Sequence, residues 1–414
     1  MRREYGSGSV YQRADGRWIG SINAGYTRSG TRRRITISAK TEAQAKRKLR
    51  DKLRDLDQHG TPEAAERTTV KGYADTWLDR QQSRLRPSTH RNYASHLRHW
   101  IIPTIGHKQL AKLTPADVRA VDKAIRGEGR TSTTARVIQT VLTKMLRDAI
   151  ADGHRVPERL LYLDSPARAV NDRDAIDPDH AKAILQAAAD LADGSRWVAA
   201  LLQGMRQGEC LGLTWDCVDT TAGTIDVSWQ LQALPYREKY RPATGLRVPD
   251  GYEYRQLDGS LCLVRPKTAR GRRIIPMVPW MAAALTGWRQ QAPASPHGLV
   301  WPRPDGRPQV AADDLAAWKA LQDRAKARHG AGRHYHLHEA RHTTATLLMS
   351  AGIDASVVTA ILGHSSIVTS RGYMHANQEM ARQALSAVAD RLGLTDGPPH
   401  LLEQAGGIAH SDEE

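Results

Sequence analysis

Phenylalanine is absent from this sequence, so Trp, Tyr, Leu and Ile must supply the large side chains of the core. Cysteine is scarce. The 3 cysteines, Cys210, Cys217 and Cys262, are odd in number and irregularly spaced, which argues against a disulfide framework and favours a reducing cytosol. Cys210 and Cys217 do not form a C-x-x-C pair, so they do not indicate a structural zinc site.

Long apolar runs are missing as well. No stretch approaches the roughly 18 residues that a membrane span requires. The N-terminal stretch MRREYGSGSVYQR lacks the apolar segment of a signal peptide. We therefore expect a cytoplasmic protein without membrane-spanning segments.

Acidic residues are outnumbered by basic ones. The 414 residues include 60 Lys and Arg against 44 Asp and Glu, which gives a net charge of +16. Residues 1–60 hold 15 of the basic and 6 of the acidic residues, so the excess is concentrated at the N-terminus. A surplus of this size attracts polyanions, with nucleic acid as the first candidate and an anionic membrane surface as the second. The length predicts two to three domains.

The basic N-terminal region, residues 1–60, predicts a small β-β-β-α module. Residues 8–24 alternate around Asp15-Gly16, which indicates a β-hairpin. A third short strand is predicted over 32–37, and Thr41 is expected to be the N-cap of a helix. Because arginines cluster on the strands, we expect this module to bind nucleic acid. The residues to which we assign that contact are Trp18, Arg32, Arg33 and Arg34.

Four helical segments indicate an all-helical domain over residues 66–155. Thr114-Pro115 and Thr131 are expected helix starts, and Gly153 is expected to end the last helix. The side chains of this domain that we expect to meet phosphates are Arg86, His90, Arg91, Lys144 and Arg147.

A linker precedes a third domain, of mixed helices and strands, over residues 175–392. Asp177-Pro178 is expected to begin its first helix. Its predicted strands are 224–229, 261–265 and 273–278. A polar insert, residues 235–259, is expected to form a long hairpin or loop, and residues 393–414 to form a loosely ordered tail.

Four stretches of this last domain contain residues suited to chemistry. They are GMRQGECLGLTW at a glycine-flanked break between helices, RPKT at a strand end, HEARH, and LGHSSIVTSRGYM. The residues they contribute, in chain order, are Arg206, Glu209, Lys267, His338, Arg341, His364 and Tyr373.

In this order and at these spacings, the four stretches resemble the tyrosine recombinase (phage integrase) family. The likeness rests on a G-x-R-x-G-E box, a turn lysine, H-x-x-R, and a histidine followed 9 residues later by a tyrosine, and it covers residues 68–392. It implies a multidomain, mainly α fold with small β-sheets. Its parts would be the N-terminal arm-binding module, a SAM-like core-binding domain, and an α+β tyrosine-recombinase catalytic domain.

The resemblance implies that Tyr373 attacks a DNA phosphodiester and forms a covalent 3′-phosphotyrosyl intermediate. The physical chemistry fits, since in-line attack adds negative charge to the phosphate oxygens. Arg206 and Arg341 can each bind those oxygens bidentately, as lysine cannot. A phenol has a pKa of about 10, so its attack needs nearby positive charge or a base.

The remaining site residues have implied supporting roles. His338 and His364 supply imidazoles that donate hydrogen bonds or move protons near neutral pH. Lys267 supplies the acid for the leaving 5′ hydroxyl, and Glu209 orients Arg206. This scheme needs no metal ion and no cofactor, because the phosphotyrosyl ester retains the energy of the broken bond.

The implied partner is double-stranded DNA, at core and arm attachment sites, in the bacterial cytosol and in association with the nucleoid. A homotetramer on two synapsed duplexes would exchange strands through a Holliday junction, to integrate or excise a mobile element. Helix 378–392 or the tail would dock on a neighbouring protomer. No membrane partner is expected. The need for an excisionase or a host DNA-bending protein is left open, as is a phage, plasmid or conjugative origin.

Three alternatives remain at this point. His338-Glu339-Ala340-Arg341-His342 also fits H-E-x-x-H, the zinc protease signature, but Asp354 is the lone carboxylate between Glu339 and Glu379 that could supply a third ligand. A type IB topoisomerase would use the same catalytic residues to relax DNA. A DNA-binding protein with an inactive site is the alternative from a different class.

Overall fold

The computed structural model describes residues 8–26, 32–59, 67–169, 175–238, 241–267, 271–330, 332–363 and 374–392, and at some element ends the backbone alone. The chain divides into two compact units, residues 1–170 and 171–414. Among the described helices, none combines the length and the apolar character that crossing a membrane would need.

The N-terminal region contains the predicted β-β-β-α arrangement. Its elements are β1 (Ser9–Gln12), β2 (Trp18–Tyr26), β3 (Arg32–Ala39) and α1 (Glu42–His59). The strands form an antiparallel sheet in the order β1-β2-β3. Gly16 adopts a left-handed φ of 79° in the β1–β2 turn, and Thr41 Oγ1 accepts a hydrogen bond from Gln44 N at 3.3 Å. The predicted hairpin, third strand and helix start are confirmed.

The first unit also contains helices at all four predicted segments, and the second segment holds two of them. The helices are α2 (Val70–Gln81), α3 (Pro87–His96), α4 (Ile102–Ile105), α5 (Pro115–Gly127) and α6 (Ser132–Ala151). A turn of π-helix, Leu97–Ile101, joins α3 to α4. Pro103 explains the wider turn, since proline has no N–H and its ring collides with the carbonyl four residues earlier. The apolar core includes the fully buried Trp77, whose Nε1 donates to Asp148 Oδ2 at 2.7 Å.

The second unit surrounds one large apolar core. Its described helices are α7 (Pro178–Ala189), α8 (Ser195–Leu201), α9 (Gln207–Leu211), α10 (Pro279–Gln291), α11 (Ala311–Arg324), α12 (Leu337–Ser350), α13 (Ala355–Leu362) and α14 (Met374–Arg391). Asp177 caps α7 as predicted, with its carboxylate accepting from Asp179 N at 3.0 Å.

The final helix packs on its own unit. Ala384, Leu385 and Val388 of α14 are buried in the core of that unit, because the helix places its small and apolar residues against α12, α13 and β9. Docking of helix 378–392, or of the tail after it, on a neighbouring protomer stays a prediction. The tail, 393–414, lies outside the described residues.

Two small sheets complete the second unit. Their strands are β4 (Val218–Asp219), β5 (Thr224–Val227), β6 (Gln230–Ala233), β7 (Tyr254–Asp258), β8 (Leu261–Val264) and β9 (Arg273–Pro276). Both are antiparallel, with orders β4-β5-β9 and β6-β8-β7. The polar insert therefore supplies β7, which forms a hairpin with β8, and a loop with a small core of its own around Leu234 and Leu246.

Candidate active site

The site begins at the predicted break between α8 and α9. Arg206 is the N-cap of α9, and its backbone N–H donates to Glu209 Oε2 at 2.9 Å. Its Nη1 donates to Glu209 Oε1 at 2.7 Å. The Arg206 side chain is 36% exposed while that of Glu209 is 2% exposed, so the buried carboxylate orients a guanidinium that solvent can reach.

A second arginine binds the same carboxylate. Arg273, at the start of β9, donates from Nη2 to Glu209 Oε2 at 2.8 Å and from Nη1 to Oε1 at 3.1 Å. Its Nε donates to the carbonyl of Ile361 at 2.7 Å. The sequence-based assignment gave Arg273 no role. The one local signal is an arginine at the start of the apolar strand RIIP, and it does not reveal the partner of that arginine.

Arg341 lies beside this pair on α12 and is 2% exposed. Its Nη1 donates to the carbonyl of Gly204, and its Nη2 to the carbonyl of Leu362. Within the part of the chain that the structure describes, Arg341 Nε has no hydrogen-bond partner. Because a guanidinium has five N–H donors, Arg341 retains donors for an anionic ligand.

Glycine permits the close approach of the segments that carry Gly204, Arg341 and Leu362. Gly204 has φ 59°, and a Cβ there would lie 2.4 Å from Leu362 Cδ2. Gly363 ends α13 in the left-handed region, with φ 64°. The G-x-R box and the segment that leads to His364 therefore pack directly together, with Arg341 hydrogen-bonded to both.

The charges of the site do not balance. Burial acts to raise the pKa of Glu209, but hydrogen bonds from Arg273 and Arg206 outweigh it and lower that pKa to about 2. Burial, together with repulsion from Arg206 and Arg273, lowers the pKa of Arg341 to about 9. Arg341 thus remains cationic near neutral pH, and the site holds three guanidinium groups against the one carboxylate of Glu209.

Of the other predicted site residues, the structure describes Lys267 and His338. Lys267 is exposed, just beyond β8, and His338 is exposed on the first turn of α12. His364 and Tyr373 lie outside the described residues. In the sequence they fall between the end of α13 at Leu362, whose carbonyl accepts a hydrogen bond from Arg341, and the start of α14 at Met374.

The H-E-x-x-H stretch does not have the geometry of a zinc protease. The rings of His338 and His342 lie 4.8 Å apart on an exposed face of α12. Glu339 is fully buried and accepts two hydrogen bonds from Arg333, at 2.8 and 3.0 Å, and one from the backbone of His336. It stabilises the start of the helix and is not available as a general base. Among the described residues, no three His, Cys, Asp or Glu converge as metal ligands.

The predicted DNA contacts of the first unit include one error. His90 is buried, and its Nε2 lies 3.0 Å from the carbonyl of Leu78, so it joins α3 to α2 and does not face a phosphate. Arg86 is half-buried at the N-cap of α3, whereas Arg91 and Arg147 are exposed. Lys144 forms an ion pair with Asp148 at 3.1 Å and remains partly exposed.

In the N-terminal sheet, Trp18 is half-buried at the start of β2, and Arg34 is exposed on β3. Arg32 and Arg33 also belong to β3, but their side chains lie outside the description. DNA contact by these residues stays a prediction.

Two family models match this chain. The phage integrase family matches residues 174–380, and the phage integrase N-terminal SAM-like domain matches residues 69–122. The integrase of Saccharopolyspora erythraea is 22% identical over 94% of this chain and 97% of that protein. The integrase of Streptomyces ambofaciens is 27% identical over 88% of this chain and 90% of that protein.

Solved structures share the fold. The Tn1549 transposon integrase in complex with a circular intermediate DNA has a TM-score of 0.60 at 19% identity, covering 75% of this chain and 99% of that one. A lambda integrase tetramer bound to a Holliday junction has a TM-score of 0.53 at 16% identity, covering 86% of this chain and 95% of that one.

These likenesses and the site define the class, which is the tyrosine-type site-specific recombinase, an enzyme that acts on DNA. The chain belongs to the phage integrase family. The multidomain, mainly α fold predicted from the sequence is thereby confirmed, and so are DNA as the partner and recombination by integration or excision as the activity.

Proposed function

We propose that the cluster around Glu209 binds the scissile phosphate of a DNA attachment site. The observation that carries this proposal is the surplus of charge, in which Arg206 and Arg273 bind one buried carboxylate and Arg341 lies beside them, hydrogen-bonded, among the described residues, to backbone carbonyls alone. A phosphodiester between Arg206 and Arg341 would neutralise part of the surplus. The additional charge that develops on the phosphate during the reaction would be stabilised further.

The proposed reaction is a reversible transesterification. The Tyr373 oxygen forms a bond to phosphorus as the bond from phosphorus to the 5′ oxygen breaks. The phenol proton passes to an imidazole, His338 or His364, and Lys267 donates a proton to the leaving 5′ oxygen. Attack by a 5′ hydroxyl from the partner duplex reverses the step and joins the new strands.

The modules have proposed roles of their own. Residues 1–60 would bind arm-type sites through Trp18 and the β3 arginines, and residues 66–155 would bind the core site with residues 175–392. The phosphate contacts proposed for the helical domain are Arg86, Arg91, Lys144 and Arg147. We propose a homotetramer on synapsed DNA in the bacterial cytosol, on the model of the lambda integrase tetramer bound to a Holliday junction.

A nicked suicide substrate that spans the attachment site tests the proposal. We expect a covalent adduct on the DNA 3′ end, formed equally well in EDTA. The variant Tyr373→Phe should bind this DNA and form no adduct, because it lacks the nucleophilic oxygen. An adduct with Tyr373→Phe, or loss of the adduct in EDTA, would contradict the scheme. Relaxation of supercoiled DNA without an attachment site would indicate a topoisomerase instead.

A further inference from the structure

The insert between β6 and β8 contacts the turn that carries Lys267. Glu253 of the insert accepts a hydrogen bond from Arg265 Nε on Oε1 at 2.8 Å. Its other oxygen, Oε2, accepts from Arg272 Nη2 at 3.4 Å. Arg265 lies two residues before Lys267, and Arg272 lies five residues after it. We call the connection between Arg265 and Arg272 the lysine turn. One carboxylate therefore binds both ends of the lysine turn.

Trp229 holds Arg265 from a second direction. The Arg265 guanidinium carbon lies 3.7 Å from the centre of the Trp229 ring, and that of Arg255 lies 4.5 Å from it. The pairing register explains the arrangement, because Gln230 and Tyr254 both pair with Val264. Trp229, Arg265 and Glu253 are the chain neighbours of Gln230, Val264 and Tyr254. They therefore lie side by side, with Arg265 in the middle. Cation–π contact of a largely desolvated ring fixes a guanidinium firmly.

The base of the turn is closed by direct contact. A Cβ at Gly271 would lie 2.4 Å from Pro266 Cβ, so only glycine fits where the two stems meet. Beyond it, Arg273 binds Glu209, the carboxylate that also orients Arg206. The lysine turn is thus held to the arginine cluster through β9 and to the insert through Arg265.

We propose that Glu253 and Trp229 are positioning residues for Lys267, and that the insert, 235–259, holds the lysine turn at the reacting phosphate. This inference rests on the proposed role of Lys267 as proton donor. A donor must lie within hydrogen-bond reach of the leaving oxygen, and a displacement of about 1 Å costs on the order of 100-fold in rate. Glu253 is half exposed, so its ion pairs affect placement of the turn more than stability.

The test compares two suicide DNAs that differ in one atom. One carries the natural 5′ oxygen at the scissile position, and the other carries sulfur there, which leaves as a thiolate without a proton donor. Lys267→Ala should slow adduct formation at least about 100-fold on the oxygen DNA. Glu253→Gln and Trp229→Leu should slow it on the order of 10-fold. All three should approach the wild-type rate on the sulfur DNA.

The matched control is Glu238→Gln. Glu238 lies in the same insert and forms an exposed ion pair at 2.8 Å with Arg241, which is also a residue of the insert. It should keep the wild-type rate on both DNAs. Equal slowing of Glu253→Gln on both DNAs, or no slowing on either, would overturn the positioning role. Failure of sulfur to rescue Lys267→Ala would instead overturn the proton-donor role, and the inference with it, while the Tyr373 adduct would still stand.

Discussion

Two buried clusters in the second unit consist of guanidinium and carboxylate groups, and they differ in the balance of positive and negative charge. Arg196 binds Asp314 through two hydrogen bonds, at 3.0 and 2.9 Å, with both side chains 3% exposed. Burial acts to lower the pKa of Arg196, yet the surrounding groups, the Asp314 carboxylate among them, raise it. The cluster at Glu209 instead surrounds one carboxylate with three guanidinium groups, and the pKa of Arg341 falls to about 9.

The ratio of guanidinium groups to carboxylates distinguishes a structural ion pair from a candidate anion-binding site. At Arg196 one guanidinium is matched in charge by one carboxylate, and the pair joins α8 to α11. An excess of buried cations is unfavourable in the free protein and becomes favourable when an anion enters. The proteins of this family act on DNA, and the unbalanced cluster is the place that we propose for the scissile phosphate.

The largest expected effect is on catalysis at the unbalanced cluster. Arg341→Ala should reduce adduct formation by at least about 1000-fold, because the guanidinium binds the phosphate most strongly as its charge grows. DNA affinity should change by less than about 10-fold, since many other contacts bind the backbone. Parallel measurements of adduct formation and of DNA binding check this. Equal losses in both would show that Arg341 serves binding alone.

The balanced cluster should show a loss of stability instead. Asp314→Ala should lower the free energy of unfolding by about 3–5 kcal/mol, because it leaves Arg196 buried without its partner. Urea denaturation measures the loss. The double variant Arg196→Met with Asp314→Leu should recover most of it and retain cleavage. A double variant that stayed folded but inactive would place the balanced pair in the reaction.

Acid should reveal the ionised state of Glu209. The pKa of Glu209 is lowered from 4.5 to about 2 in the folded protein, so folding favours the carboxylate. Its stabilisation is present above pH 4.5 and is lost as the pH falls toward 2, a change of about 3 kcal/mol. Urea denaturation at pH 5 and pH 3 should show a steeper loss for wild type than for Glu209→Gln. Equal losses would mean that Glu209 does not carry this pH dependence.

The smallest expected effect is binding of a simple anion. Sulfate at about ten times its Kd should stabilise the free protein by about 1.4 kcal/mol, or a few degrees in Tm. Arg206→Ala should lose most of this increase, whereas Arg196→Met with Asp314→Leu should keep it. The same increase in Arg206→Ala would place the anion elsewhere.

Sequence patterns predicted the order of elements and the helix starts well. Asp15-Gly16, Thr41 and Asp177 act locally, so a few residues of sequence determine the turn or cap that forms. The boxes around Arg206 and Arg341 were also predictable, because their spacing is characteristic of one family. Glycines at 204 and 363 show why those spacings need small residues.

What sequence could not predict depends on long-range packing. Arg273 binds Glu209 across 64 residues of chain. Glu253 binds Arg265 and Arg272, which lie at the two ends of the lysine turn. His90 was wrongly assigned to DNA because its helical position does not reveal that it bonds to Leu78 of the preceding helix. α14 likewise packs on its own unit because its apolar face matches a core that no local pattern describes.

The most direct test is a crystal structure of Tyr373→Phe bound to its uncut attachment site. The account predicts the scissile phosphate between Arg206 and Arg341, with its oxygens at about 3 Å from both guanidinium groups and the ring of residue 373 facing the phosphorus. A scissile phosphate bound elsewhere on the protein, with the cluster around Glu209 filled by no part of the DNA, would contradict it.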